Sequence, residues 1–168
     1  MNFIDKIQNK IYKTLKFYRL KQITKILDKN SKTILDIGCQ DLIFYNKIKE
    51  NYSITLADYS PTNSLIKKED VQNLSFEDKS YDIVLCQEVL EHVSNPIAAI
   101  KELKRVAKKQ LIISIPYEPF FTLTRLLFWE KEHLWAIRPK IFYHYLGKPT
   151  TERKIFFKRY YLATWNFK

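Results

Sequence analysis

Glycine is scarce in this chain. The 168 residues include only Gly38 and Gly147, where average usage would give about twelve glycines. Glycine adopts backbone conformations that other residues resist, and it lets a ligand or another segment approach the backbone closely. Gly38 directly follows a short apolar run, 34–37, and so stands where a buried strand would end.

Cysteine and long apolar segments are scarce too. Two cysteines, Cys39 and Cys86, are too few for a disulfide framework or a zinc site. Each follows a predicted strand, which is typical of a buried, reduced thiol. No apolar run approaches the roughly eighteen residues of a membrane span, and no secretory leader is visible. We therefore expect a cytoplasmic protein without a transmembrane segment.

Acidic residues are outnumbered, and unevenly so. There are 18 Asp and Glu against 29 Lys and Arg, a formal net charge of +11. Residues 1–32 carry +7 and residues 111–168 carry +6, while residues 33–110 carry −2. Basic segments attract phosphate-rich partners and anionic membrane surfaces. The alternative is that these lysines and arginines form only a solvated surface.

Length predicts a single domain, 1–168, with three regions. Residues 1–30 show apolar side chains at helical spacing with lysines on the other face, which predicts an amphipathic helical cap of one or two helices. The alternative for this cap is contact with a membrane surface. Residues 31–116 form the predicted core. Residues 117–168 form further helices and a closing hairpin.

The core shows strands alternating with helices. Strands are predicted at 33–37, 53–57, weakly within 63–69, and at 81–85 and 111–115, and helices at 41–49, 89–93 and 96–108. Beyond Pro116 we expect helices at 120–129 and 140–146 and strands at 154–161 and 162–167. The predicted fold class is α/β, a doubly wound, mostly parallel Rossmann-like sheet with an antiparallel closing hairpin at the C-terminus.

Three motifs stand in register along this core. They are Ile34-Leu35-Asp36-Ile37-Gly38-Cys39, then Ala57-Asp58, then Asp70 to Phe76 followed by Ser80 to Val93. Together they resemble the class I S-adenosylmethionine-dependent methyltransferases of the small-molecule, type-11-like kind. The resemblance implies S-adenosylmethionine as cofactor and a methyl-transferring enzyme. It covers residues 34–116 well and the two ends poorly. It implies that residues 31–116 are a cofactor-binding core and that residues 117–168 form substrate-side helices and the closing hairpin.

The resemblance also implies a set of cofactor-binding residues. Asp58 has support of its own, because it lies 22 residues after Asp36, near the spacing of a ribose-binding carboxylate. Asp70 and Val71 match the positions that meet the adenine. The remaining positions implied to border the cofactor are Asp36, Gly38, Cys39, Gln40, Tyr59 and Gln87.

The first loop departs from the family pattern. The family usually has G-x-G-x-G, and this chain has Gly38-Cys39-Gln40-Asp41-Leu42. Side chains at Gln40 and Leu42 therefore stand where the methionine part of the cofactor would approach the backbone. One alternative is a binding module that kept the fold, lost catalysis, and binds nucleic acid or an anionic membrane. A nicotinamide-dependent oxidoreductase is disfavoured by the missing G-x-G-x-x-G.

An E-x-x-E-H run follows the fourth predicted strand, at Glu88, Glu91 and His92. We assign His92 as the candidate general base. In some family members, including ubiquinone-pathway O-methyltransferases and small-RNA 2′-O-methyltransferases, this run holds a divalent metal. The RNA enzymes add a downstream histidine, for which His133 or His144 would be the counterpart. Since the same run occurs in relatives without metal, our prediction assigns no metal ligand.

The C-terminal third indicates the kind of acceptor. Fifteen of the 25 aromatic residues lie between positions 117 and 167, interleaved with arginines and lysines. Such a surface suits bases, sugars or a membrane boundary, although the rings also fit a core beneath the hairpin. With the basic flanks, this predicts an anionic acceptor. A phosphate-bearing glycolipid or sugar nucleotide is the first candidate and RNA the second.

Overall fold

A computed structural model describes residues 3–39, 42–117, 133–155 and 159–167, with side chains from Lys13 onward. Seven strands form one sheet in the order β3-β2-β1-β4-β5-β7-β6. Their bounds are β1 Thr33–Ile37, β2 Ser53–Asp58, β3 Ile66–Lys68, β4 Tyr81–Gln87, β5 Ala107–Pro116, β6 Thr151–Ile155 and β7 Tyr160–Asn166. The helices are α1 Phe3–Ile26, α2 Ile43–Ile48, α3 Pro96–Val106 and α4 Lys140–Leu146.

The sheet is parallel from β3 to β5, and β7 and β6 then join as an antiparallel pair. The strand order reverses between β1 and β4, because the chain builds outward through β2 and β3 before returning to the other side of β1. Open α/β sheets bind their ligands at the carboxyl ends of the strands beside such a reversal. The predicted fold class is confirmed.

Alternating residues of the central strands face two different cores. On β1, Ile34 packs with α1 and α2, while Leu35 and Ile37 pack on the side of α3 and α4. The parallel pairing of β1 with β4 places Asp36 level with Leu85, on the α1 face. Near the ends of β4 and β5, Gln87 is level with Ser114 on the same face. The face covered by α1 therefore carries the polar groups at the strand ends.

The first helix, α1, is one continuous segment of 24 residues, so the alternative of two helices is wrong. Its apolar side chains Leu15, Leu20 and Ile23 are buried against the sheet, together with Leu27 just beyond its end. No helix among the described residues has the length and apolar character needed to cross a membrane.

Several predicted boundaries are wrong. The helix expected at 89–93 is a series of turns, because Glu88 adopts a left-handed conformation (φ 53°) and breaks the helical path. Strand β5 begins at Ala107, four residues early, where the backbone leaves α3 as extended chain. Strand β6 ends at Ile155 and β7 begins at Tyr160, so Tyr160 and Tyr161 belong to β7 and not to the preceding strand. The helix expected at 120–129 lies outside the described residues.

Candidate functional site

Gly38 forms the turn at the end of β1. Its φ is +81°, and its amide donates a hydrogen bond to the carbonyl of Ala57 on β2 at 2.8 Å. A Cβ at this position would collide with Cγ2 of Val89, in the turn after β4. Both the left-handed backbone and the close contact therefore require glycine here. The turn after β1 and the turn after β4 are thus packed directly against each other.

Carboxylates lie at the ends of β1 and β2. Asp36 is buried, with 4% of its surface exposed. Asp58 is half-buried and accepts a hydrogen bond from the amide of Ser60 at 2.8 Å, while neighbouring Tyr59 is exposed. Burial, together with the negative charges of Asp36 and Asp58, raises the pKa of the buried Cys39 thiol to about 12. The turn after β1 therefore lies in a negative potential.

The end of β4 is also surrounded by acids. Cys86 is fully buried, and its pKa is raised well above the usual range by burial and then by Glu91, Asp36 and Glu88. Glu91 itself is only 1% exposed. Since these carboxylates act on one atom, they converge on the carboxyl ends of β1 and β4. An arrangement of this kind favours a cationic ligand.

Gln87, the last residue of β4, presents a buried acceptor. Its side-chain Oε1 is inaccessible to solvent and accepts no hydrogen bond from the described part of the chain. A buried polar atom without a partner is costly, and native proteins rarely retain one without a reason. This atom, the glycine turn and the surrounding carboxylates fit a bound molecule that carries hydrogen-bond donors and positive charge.

Asp70 organises the loop after β3. Its Oδ1 accepts hydrogen bonds from the backbone and the side-chain amide of Gln72, at 2.9 and 3.1 Å. The side-chain Oε1 of Gln72 in turn accepts from the hydroxyl of Ser94 and the backbone amide of Asn95, at 2.8 and 2.7 Å. The Val71 side chain is buried in the core. Asp70 thus holds the β3 loop against the segment that leads into α3.

His92 lies in the turn after β4, with a partly exposed ring. Its Nε2 is 3.9 Å from Oε1 of Glu91, and its ring meets that of His133 edge-on at 4.8 Å between centroids. One ligand-type atom from each of these three residues lies within 4.8 Å of the others. A carboxylate with two imidazoles suits a divalent cation and equally suits proton exchange with a substrate.

The E-x-x-E-H run does not act as one group. The Glu88 side chain turns away, accepting from the hydroxyl of Ser114 at 2.9 Å and facing Arg19. His144 lies on α4 with its ring against Tyr145. Of the two downstream histidines considered from the sequence, His133 is the one that joins Glu91 and His92.

The structure brings most of the predicted cofactor residues to one edge of the sheet. Asp36, Gly38, Cys39, Asp58 and Gln87 border the ends of β1, β2 and β4. Asp70 and Val71 follow β3, the next strand along. Gln40 lies outside the described residues.

Arg19 is a site residue that the sequence reasoning missed. It is the only arginine among nine basic residues in 1–32, and it is buried at the end of β4, with its guanidinium over the ring of Tyr160. The isolated arginine on a lysine-rich helix was the available signal, because arginine tolerates buried ion pairs better than lysine.

The fold and this strand-end site together define an α/β domain that binds a nucleotide-type cofactor. A family model described as methyltransferase domain matches residues 10–146. An uncharacterised protein of Methanocaldococcus jannaschii is 32% identical over 119 residues, 66% of this chain and 48% of that protein. A tRNA U34 carboxymethyltransferase of Nautilia profundicola is 28% identical over 90 residues, 44% of this chain and 30% of that enzyme.

Solved structures agree on the fold. A SAM-dependent methyltransferase from Archaeoglobus fulgidus superposes with a TM-score of 0.73 over 99% of this chain and 100% of that one, at 17% identity. The chain belongs to the methyltransferase-domain family, in the class I S-adenosylmethionine-dependent group, and S-adenosylmethionine is the cofactor of that class. It spans half or less of the length of the two sequence relatives.

Proposed function

We propose that this chain transfers a methyl group from S-adenosylmethionine to an anionic acceptor. The buried carboxylates of Asp36 and Glu91 at the ends of β1 and β4, beside the Gly38 turn, carry the proposal. The cofactor is a sulfonium with an amino-acid end, and its positive charges suit a site lined with carboxylates. When bound, it supplies an electrophilic methyl carbon.

The proposed cofactor contacts follow the strand ends. Asp58, with Tyr59 beside it, accepts from the ribose hydroxyls, since a carboxylate accepts two hydrogen bonds at once. Asp70 and the Val71 backbone meet the adenine, and Gln87 offers its unpaired Oε1 as a further acceptor. Asp36, Gly38, Cys39 and Gln40 border the methionine end.

His92 is proposed as the general base. Its ring is partly exposed, beside the buried Glu91 at 3.9 Å. An acceptor hydroxyl or amine must lose a proton during methyl transfer, and an imidazole can take it at neutral pH. Glu91 stabilises the protonated ring that results. The turn after β4 would then bind the acceptor next to the cofactor.

Basic and aromatic groups support an anionic acceptor. Lys154 on β6 donates to the hydroxyl of Tyr117 at 2.9 Å and lies over its ring, 4.2 Å from the centroid. The Tyr117 amide donates to the carbonyl of Arg159 at 2.7 Å, which brings the start of β7 to the same place. Since Tyr117 follows β5, this pair stands at the carboxyl edge of the sheet.

A phosphate-bearing glycolipid or sugar nucleotide is the first acceptor candidate for this edge of the sheet, and RNA is the second. The similarity to a tRNA-modifying enzyme supports the RNA candidate. Phosphate contacts make binding fall steeply with salt. Binding of polyuridylate and of phosphatidylglycerol vesicles, at two salt concentrations, separates these acceptor classes. No binding of either probe at low salt, and none of a sugar nucleotide, would remove the anionic acceptor from the proposal.

Calorimetry with S-adenosylhomocysteine tests the cofactor assignment. We expect saturable binding, weakened about tenfold or more by Asp36→Asn, which removes one of the converging charges. The matched control is Glu50→Gln, an exposed acid beyond the end of α2. Absence of binding at millimolar ligand would refute the function and favour a binding module that has lost catalysis.

A second candidate mechanism uses a divalent cation at Glu91, His92 and His133, because these groups lie within 4.8 Å. Titration with MnCl2 separates the two mechanisms. Saturable Mn²⁺ binding that is lost in His133→Ala supports a metal site. If His92 acts only as a base, no saturable heat appears.

A further inference from the structure

The N-terminal helix reaches the site through one side chain. Arg19 of α1 is 5% exposed, and its Nη1 lies 3.5 Å from Oε2 of Glu88. Its Cζ is 5.1 Å from the centre of the Tyr160 ring, at the start of β7. The other charged residues of α1 from residue 13 onward, Lys13, Lys16, Lys21 and Lys25, are not buried.

Stability does not explain this pair well. Burying two charges is costly unless the geometry is good and the remaining donors are satisfied. Here the contact is loose, and the buried Nε of Arg19 has no acceptor among the described residues. A tightly packed apolar pair would stabilise this position at least as well. The ion pair is therefore better explained by what it does to Glu88.

Glu88 has an unfavourable backbone conformation, with φ at 53°. Interactions of its backbone and of its side chain hold it there. Its amide donates to the carbonyl of Ser114 at 3.0 Å, its Oε1 accepts from the Ser114 hydroxyl, and its Oε2 faces Arg19. Left-handed non-glycine residues persist where the surroundings fix them, and they cluster at functional sites.

The conformation of Glu88 sets the course of the residues that follow. Val89 comes next, and its Cγ2 fills the space beside Gly38. The Glu91 carbonyl then accepts from the amide of Leu134 at 2.8 Å, and the indole of Trp135 donates to the carbonyl of Val93 at 2.8 Å. The turn after β4 thus contacts the Gly38 turn on one side and residues 134–135 on the other.

We propose that Arg19 and Glu88 form a positioning pair, in which α1 holds the turn after β4 so that Val89 supports the Gly38 loop and His92 faces the acceptor. Neither residue contacts the reacting atoms. The proposal makes α1 a part of the site as well as a layer of the core. The positioning role rests on the proposed function only where it predicts that the pair affects the affinity for S-adenosylhomocysteine.

A double-mutant comparison tests the pair. Arg19→Met should weaken S-adenosylhomocysteine binding about tenfold, because the turn loses the interaction that holds its strained residue. Glycine adopts φ near 53° without help. Adding Glu88→Gly to Arg19→Met should therefore restore most of the lost affinity. A role of Arg19 in packing alone predicts that the double variant is no better than Arg19→Met, and that result would overturn the proposal.

The matched control is Lys79→Gly. Lys79 has the same φ of 53° but precedes β4, at the opposite edge of the sheet. This variant should leave the affinity for S-adenosylhomocysteine unchanged. A loss as large as that of Arg19→Met would mean that the assay reports general stability, which contradicts a specific positioning role.

Hydrogen exchange gives a readout that does not need the cofactor. Arg19→Met should speed exchange at the amides of His92, Leu134 and Trp135, which are bonded within or onto this turn. If Arg19→Met does not fold, Glu88→Gln takes its place, since it removes the charge and keeps an acceptor for Ser114. Unchanged exchange refutes the positioning pair. Failure of the wild type to bind S-adenosylhomocysteine refutes the proposed function while the exchange comparison still decides the pair.

Discussion

Gly38→Ala is the change that most directly tests how the turn after β1 is built. Two costs combine at this position. An alanine at φ near 81° is destabilised by about 1–2 kcal/mol relative to glycine. Its Cβ would also collide with Cγ2 of Val89, and forcing an extra carbon into a packed region costs about 1–3 kcal/mol. We expect a loss of about 2–5 kcal/mol in the free energy of unfolding.

Gly147→Ala isolates the first of these costs. Gly147 has nearly the same φ, 80°, with ψ at −176°. Among the described residues other than its chain neighbours, no atom lies within 4 Å of the position that its Cβ would take. It should therefore show the backbone cost alone. For a chain of this size each kcal/mol lowers Tm by about 2–4 °C. Urea and thermal unfolding of the two variants give the difference directly.

Val89→Ala separates the steric cost of the contact with Val89 from the backbone cost at position 38. In the Gly38→Ala background, shortening Val89 removes the colliding methyl group, so the double variant should recover part of the stability. The same variants should be titrated with S-adenosylhomocysteine, because the loop is proposed to border the methionine end. The reasoning is refuted if Val89→Ala recovers no stability in the Gly38→Ala background and Gly38→Ala binds the ligand with unchanged affinity.

Three further predictions concern the remaining groups of the site. Asp58→Ala should weaken S-adenosylhomocysteine binding by about 1.5–3 kcal/mol, the range for hydrogen bonds to charged groups, and an unchanged dissociation constant in calorimetry would place Asp58 outside the site. Because burial with Asp36 and Asp58 raises the pKa of Cys39 from 9.0 to about 12, this thiol should react slowly with Ellman's reagent at pH 8 until the protein is unfolded, and fast labelling of the native state would contradict its burial. The stability contributed by the protonated Cys39 should be fully present below about pH 9 and lost as the pH rises towards 12, so unfolding measurements should show a smaller alkaline loss in Cys39→Ala.

The sequence determined the fold class and the main candidate residues because these depend on local patterns. Short apolar runs that end at Gly38 and Asp58 specify buried parallel strands, and the order of strands and helices specifies a doubly wound sheet. In such a sheet, residues that follow different strands meet at one edge. Asp36, Asp58 and Gln87 could therefore be placed near each other before any contact was known.

Residues 88–93 show where local pattern is insufficient. Their sequence has helical character, but the left-handed Glu88 is maintained by Ser114 on β5 and Arg19 on α1, which are far away in the chain. The same holds for the closing hairpin, where Glu152 on β6 accepts from the hydroxyl of Tyr161 on β7 at 2.8 Å. Long-range contacts override local propensity in both places.

The site itself divides in the same way. The sequence by itself determined the carboxylates at the strand ends and the single glycine of the first loop, since both are tied to where strands stop. Only the tertiary structure decided that Glu88 leaves the E-x-x-E-H run, that His133 joins Glu91 and His92, and that Arg19 is buried beside Glu88. These residues come from three distant segments, and their meeting depends on how helices and loops pack over the sheet, which no short-range pattern encodes.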